Sequence, residues 1–305
     1  MAGEIKSMDK GILNIETSYS SKDFQVEWDK IRKVRSPNYF LLTFSDGLRI
    51  NGTMYSPVPD SVYVESIFGA TYSYAIADLV YLKGVKSTFW NRIDFDVDMG
   101  LNYAKANSVG QFSFRSNLYY QANKWDIKGY LDDIRSSQAE VEAVKRLEGG
   151  VNYKYYLPDD WYAIIDLAFL SNTEQALQLR TSGRTGAGNF LKHTNRAYWA
   201  TGAGLSFNNE QYSNETDSKN SLEAFGGMEL NIFDIGDLDL YSSLAVYPSL
   251  TTSGRIRTDF KFDFKYDLVK DLYLKLGTTI NYDNKPAISG NETDYVFYTN
   301  IGWKF

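Results

Sequence analysis

The strongest constraint on this chain is a period-two alternation that persists over long runs. Tyr295, Phe297, Thr299, Ile301, Trp303 and Phe305 share one side of an extended segment, and Val296, Tyr298, Asn300, Gly302 and Lys304 share the other. Leu272, Leu274, Leu276, Thr278, Ile280 and Tyr282 alternate in the same way with Tyr273, Lys275, Gly277, Thr279 and Asn281. Phe260, Phe262, Phe264 and Tyr266 interleave with Asp259, Lys261, Asp263 and Lys265, so four aromatics oppose four charges. Upstream, Phe95, Val97, Met99 and Leu101 alternate with Asp94, Asp96, Asp98 and Gly100. Helical spacing is almost nowhere sustained beyond two turns.

A soluble sandwich also alternates, because each strand has a core face and a water face. Length separates the two cases. These runs last roughly 10–14 residues, and a tilted strand needs about 9–11 to cross a bilayer, whereas globular strands average about 5–6. Tyr266, Tyr282, Tyr295 and Trp303 stand near run ends, where an interfacial girdle places aromatics. Twelve runs follow from Trp90, at about 90–104, 110–121, 124–135, 142–156, 161–171, 176–188, 197–208, 220–232, 237–248, 254–267, 271–283 and 294–305. Connections after even runs are tight, as in Leu157-Pro158-Asp159-Asp160, Asp234-Ile235-Gly236 and Leu268-Val269-Lys270. Those after odd runs tend to be longer, as from Asn209 to Lys219 and from Asn284 to Thr293. The expectation is an all-β chain whose residues 81–305 form a transmembrane antiparallel up-and-down β-barrel of about 12 strands. It would sit in lipid of a bacterial outer membrane with both termini periplasmic.

Composition narrows the remaining classes. Of 305 residues, 43% are hydrophobic, yet apolar stretches such as Tyr39 to Leu42 are only about four residues long, against the ~20 of a membrane helix. Zero cysteines exclude disulfides and thiolate chemistry, and 32 basic against 38 acidic residues, scattered along the chain, argue against nucleic acid as a partner. No cofactor is expected.

Residues 1–80 read differently, with runs of globular length at 11–17, 24–28, 40–44, 48–54 and 62–65. Ser45-Asp46-Gly47 is a hairpin signal, and Gly52 marks a bend or bulge. A small SH3-like β-domain is expected, placed in the periplasm to meet a protein partner there. Met1 to Lys6 holds no apolar segment of a signal peptide, so an export signal is expected to have been removed.

The ending Asp294 to Tyr298 through Gly302-Trp303-Lys304-Phe305 resembles the terminal strand of bacterial outer-membrane proteins. That resemblance implies recognition by the barrel-assembly machinery through Tyr295, Phe297, Ile301, Trp303 and Phe305. Phe264-Lys265-Tyr266-Asp267-Leu268, Asp271-Leu272-Tyr273 and Asn281 to Pro286 resemble the salt-induced outer-membrane protein family, over roughly Phe89 to Phe305. Gly11 to Thr17, Trp28-Asp29-Lys30-Ile31 and Ser45-Asp46-Gly47 resemble the periplasmic extension of Bacteroidetes versions. The resemblance implies fold and location and supplies no catalytic residues.

The single histidine, His193, falls in a tight connection, where a solvated turn side chain is expected and a barrel hydrolase would lack its base at the outer rim. Asp94, Asp96 and Asp98 could suggest a cation site, but Arg92, Arg115, Lys128, Arg146, Lys154, Arg180, Arg257, Lys261 and Lys265 fall on lumen faces beside Asp259 and Asp263. Cross-strand pairing of these charges is expected to tie the wall together and fill the lumen, with a narrow mixed-charge pore as the alternative. Gly183 to Gly188 lacks the helix and Lys-Ser/Thr ending of a phosphate loop and is expected to relieve crowding in a strand. Asn214-Glu215-Thr216 and Asn291-Glu292-Thr293 mark exposed loops. The expected role is a non-enzymatic envelope component, structural or interacting.

Overall fold

The computed structural model describes residues 2–85, 93–104, 109–138, 141–173, 177–213, 218–235, 237–268, 272–285 and 292–303. Arg92, Asn214, Glu215, Thr216, Gly236, Val269, Lys270, Asn291, Lys304 and Phe305 lie outside them. The described residues form two antiparallel sheets and no α-helix, and none of them builds a helix long and apolar enough to cross a membrane.

The first sheet holds β1 (Glu4–Asp9), β2 (Ile12–Glu16), β3 (Phe24–Glu27), β4 (Arg35–Phe44), β5 (Arg49–Tyr55), β6 (Ser61–Ser66), β7 (Thr71–Ala75) and β8 (Leu79–Gly84). Their order is β3-β2-β1-β8-β4-β5-β6-β7, so β8 returns to lie between β1 and β4. β8 carries this sheet past residue 80, to Gly84. Met8, Leu13, Trp28, Phe40, Leu42, Phe44, Met54, Val62 and Leu82 bury one face together. The Trp28 indole N–H donates to the Ile76 carbonyl at 2.8 Å, which removes the cost of burying that donor. Gly47 turns the β4–β5 hairpin at φ +81°, and Gly52 lies so close to the Glu65 carbonyl that a side chain would collide with it.

The second sheet is a meander of twelve strands in sequence order: β9 (Ile93–Ala104), β10 (Val109–Gln121), β11 (Trp125–Gln138), β12 (Val141–Tyr156), β13 (Trp161–Asn172), β14 (Leu177–His193), β15 (Ala197–Tyr212), β16 (Lys219–Ile235), β17 (Leu238–Pro248), β18 (Ile256–Asp267), β19 (Leu272–Asp283) and β20 (Thr293–Trp303). Each strand has 11 to 17 residues, against 4 to 10 in the first sheet. Every neighbouring pair is antiparallel, and directly opposed residues point to the same side of the sheet. The connections do not alternate in length throughout. Those after β9, β11 and β13 are as short as the tight ones, and the one after β15 is shorter than the sequence pattern leaves it because β15 runs on to Tyr212.

The sheet is strongly bent. The Asn195 amide, in the turn between β14 and β15, donates to the Leu79 carbonyl at 2.8 Å, while Lys83 pairs with Asp94 on β9. Leu79 and Lys83 are four residues apart on β8, or about 13 Å at strand rise, whereas five to six strand spacings in a flat sheet would be about 24–29 Å. On the concave side, an Arg184 guanidinium nitrogen reaches the Tyr247 hydroxyl at 3.4 Å across three strand intervals.

Candidate functional site: the charged concave face and its lid

Register assigns every charge to a side. Asp98 stands opposite Arg115, Arg115 opposite Asp132, Asp132 opposite Glu148, and Arg180 opposite Glu210, so all of these point inward. The alternate residues point outward and many are apolar: Phe95, Met99, Leu101, Ile165, Leu167, Phe207, Met228, Phe297 and Ile301 are all exposed. Asp133 and Arg135 pair on this outer side at 2.7 Å, near the end of β11 remote from the first sheet.

The charges singled out in the sequence divide into three groups. Arg115 donates to Asp132 at 2.6 Å, Arg146 to Glu148 at 2.7 Å, Arg180 to Glu210 at 2.7 Å, and Lys265 lies 2.7 Å from Asp267 and 3.5 Å from Asp239. Lys261 lies 3.5 Å from Asp263, which also accepts from the Tyr298 hydroxyl, and Asp96 accepts from Asn117 at 2.7 Å. Arg257 makes a fork on Glu223, Nε to Oε1 at 3.0 Å and Nη2 to Oε2 at 2.6 Å, and Glu223 is 0% exposed. Asp94 leaves the second sheet altogether to pair with Lys83 of β8. Asp98, Lys128, Lys154 and Asp259 have no ion pair among the described residues. Lys128 lies 5.3 Å from the Tyr119 ring centroid and Lys154 4.9 Å from that of Tyr162.

Sequence reasoning did not single out Asp132, Glu148, Asp166, Glu210, Glu223, Arg184, Arg255 or Asp283. Arg184 pairs with Asp166 at 3.0 Å, and Arg255 forks onto Asp283 with its shortest contact at 2.7 Å. Their signal was present as charges on inward positions, but choosing partners needs the register.

Aromatic rings fill the remaining inward space by lying over glycines. Tyr130 is opposite Gly150, Tyr162 opposite Gly188, Phe225 opposite Gly204 and Tyr298 opposite Gly277, and in each pair the ring occupies the place a glycine side chain would take. Gly186 and Gly188 belong to this packing within β14.

The first sheet covers the tight-turn end. Tyr81, Lys83, Thr43, Leu41, Arg49 and Asn51 share its side facing the second sheet, since they oppose one another in register. Tyr81 donates to Gln121 at 2.6 Å, Tyr198 to Asp9 at 3.1 Å, and Arg196 to Asp29 at 3.1 Å. Burial pushes the Tyr81 phenol above its ordinary pKa. Gly47 lies against Asp160, where both its φ and the close approach exclude a side chain. His193 is not a solvated turn residue. It ends β14, is largely buried between Phe190 and Tyr198, and has Nδ1 2.9 Å from Asp160 Oδ1, so the neighbouring strands and turn of its own sheet enclose it.

With this geometry in view, the chain matches a family described as "Protein of unknown function, DUF481" over residues 97–305. The chain belongs to that family. The DUF481 region begins within β9 and covers the rest of the twelve-stranded sheet, so the first sheet stands outside the matched segment. No curated protein matches the chain. Among the described residues of this DUF481 member no group of three or more His, Asp or Glu side chains is placed to hold a metal ion.

Proposed function

We propose that the twelve-stranded sheet closes, β20 onto β9, into an outer-membrane β-barrel with a charge-paired, largely closed lumen, and that the protein is a non-enzymatic structural or interaction component of the envelope. The observation that carries this is the separation of faces: exposed apolar side chains outside and charges, tyrosines and glycines inside, over strands long enough to cross a bilayer. Lipid enforces closure, because an open strand edge in hydrocarbon leaves backbone groups unpaired at several kcal/mol each. Twelve strands return β20 to the end where β9 began, so the lid and both ends of the chain share the periplasmic side. There the lid is available to a protein partner. The salt-induced outer-membrane label fits this placement, and the β20 pattern of Tyr295, Phe297 and Ile301, all exposed on the outer side, fits recognition by the barrel-assembly machinery.

Planar bilayers test both halves. Insertion of the purified full chain, shown by heat-modifiable gel mobility, without a stable ion current is the expected result. Failure to enter lipid overturns the membrane placement. A steady current that changes on Asp96→Ala or Arg115→Ala overturns the closed lumen in favour of a narrow channel.

A further inference from the structure

We propose that Arg49 of the lid and Asp126 of β11, on either side of Tyr156, together bind a small proton-bearing oxyanion of the hydrogenphosphate class, held by Arg49 and selected by Asp126. Arg49 opens β5 on the side of the lid that faces the second sheet, with its guanidinium carbon 3.8 Å from the Tyr156 ring centroid. Stacking fixes the guanidinium plane and leaves its edge to make hydrogen bonds. That edge, Nε and Nη2, is buried without an acceptor. Arg255 and Arg257 use the same two nitrogens to hold Asp283 and Glu223 as forks. Among the described residues Arg49 is the only arginine with buried guanidinium nitrogens lacking a partner. A planar fork of this kind matches two oxygens of a carboxylate or phosphate.

Asp126 supplies the second half. It is 2% exposed, its Oδ2 accepts from the Tyr156 hydroxyl at 2.5 Å, and its Oδ1 is buried without a donor. Arg49 and Asp126 thus flank the same tyrosine, one on the ring face and one at the hydroxyl, yet form no ion pair with each other. A group that reaches both must accept from the guanidinium and donate to the carboxylate. Hydrogenphosphate does both, whereas sulfate and a phosphodiester carry no proton at neutral pH and would place oxygen against oxygen at Asp126.

Two further cations favour an anion here. Lys154 is opposite Asp126 in register and Lys128 is the next inward residue of β11, and neither has an ion pair. Of the other carboxylates nearby, Asp94 is paired with Lys83 and Asp166 with Arg184, while Asp9 accepts from the Tyr198 hydroxyl and Glu229 on β16 has no ion pair among the described residues. A cleft of about 540 Å³, lined by Asn51, Lys83, Asp94, Gln121 and Asn123, opens between the lid and the β9 to β11 end of the second sheet. None of this depends on barrel closure or on lipid.

The test is calorimetric titration of the full chain, in a maltoside detergent and phosphate-free buffer, with inorganic phosphate, sulfate and dimethyl phosphate. Saturable phosphate binding is expected, with the other two anions weaker by roughly tenfold or more, since each leaves a buried carboxylate oxygen unpaired. Dimethyl phosphate also separates a free anion from a lipid headgroup, because binding as tight as that of phosphate would assign the site to a phosphodiester and refute the role of Asp126. Arg49→Gln should lower phosphate affinity by roughly tenfold or more, Arg49→Lys should recover only part of it, and Asp126→Asn should erase the preference over sulfate. Absence of saturable phosphate binding by the wild-type chain overturns the proposal. So does unchanged binding in an Arg49→Gln protein that keeps its heat-modifiable mobility. The wild-type competition between phosphate and sulfate needs no variant to fold.

Discussion

Glu223 gives the sharpest test of how the interior is held. Its carboxylate is wholly buried, takes the two-pronged fork of Arg257, and receives the Asn208 amide at 3.4 Å. Glu223→Gln removes the charge and leaves a guanidinium that keeps 29% of its side-chain surface. Breaking a buried pair costs about 3–5 kcal/mol, and partial solvent access to Arg257 sets the expectation at the lower end, about 3 kcal/mol. At about 1.4 kcal/mol per decade, that raises the unfolded fraction more than a hundredfold. Replacing both partners, Glu223→Leu with Arg257→Met, should return stability to within about 1 kcal/mol of wild type, because no charge is then buried unpaired. Asp132→Asn supplies the contrast, since its partner Arg115 is 60% exposed and an exposed pair contributes about 0–1 kcal/mol. The assay is equilibrium urea unfolding of protein folded into vesicles, followed by tryptophan fluorescence. Glu223→Gln costing no more than Asp132→Asn would refute the account, and so would a double variant as unstable as the single one.

Three other outcomes follow from particular residues. Gly188→Val should destabilise by about 1–3 kcal/mol in the same urea assay, because a Cβ there lies 2.5 Å from Tyr162 Cζ and 2.6 Å from the Thr201 carbonyl, while Gly183→Ala, with its nearest atom at 3.6 Å, should be close to neutral. Leu167→Arg should cost about 2–4 kcal/mol if its outer face meets hydrocarbon; an exposed soluble position would absorb it within about 0.5 kcal/mol, and that smaller value would count against the lipid placement. Burial, and then the hydrogen bond to Asp46, push the Tyr74 phenol up to about 12. The folded protein therefore holds a proton that an unfolded tyrosine loses near pH 10. Its contribution is fully present below about pH 10 and is lost as pH rises towards 12, so Tyr74→Phe should flatten stability across that interval, as read by denaturant midpoints with phenolate absorbance.

The twelve long strands and their faces were legible because a period of two fixes the side of every residue once the segment is extended. Phe260 to Tyr266 shows this well, since aromatics and charges separate with no knowledge of neighbours. Partners were less legible. Arg257 was visible as an inward cation, but Glu223 is held by β16, and the match depends on the offset between strands that a single run does not encode. His193 shows the limit from the other direction. Its place near a tight turn was evident, but its burial comes from Phe190, Tyr198 and the Asp160 carboxylate, the last of these 33 residues away in sequence. Arg49 carried no local signal at all. Its significance lies in Tyr156 beneath it and in the acceptor it lacks.

The two ends of the interior are chemically unlike, and this bears on what the protein can do. Away from the lid, Arg180, Arg184, Arg255 and Arg257 are each paired with a carboxylate, so their charge is matched within the wall. Beneath the lid the pattern reverses: Arg49 keeps an open fork, Lys128 and Lys154 lie over tyrosine rings, and Asp126 keeps an open oxygen. A conducting pore needs binding groups along its whole length that release what they hold. Here the groups that can exchange partners are gathered at one end, against a domain fixed to the strand turns by hydrogen bonds and ion pairs. The proposed anion site therefore lies at the lid end, where these groups are gathered.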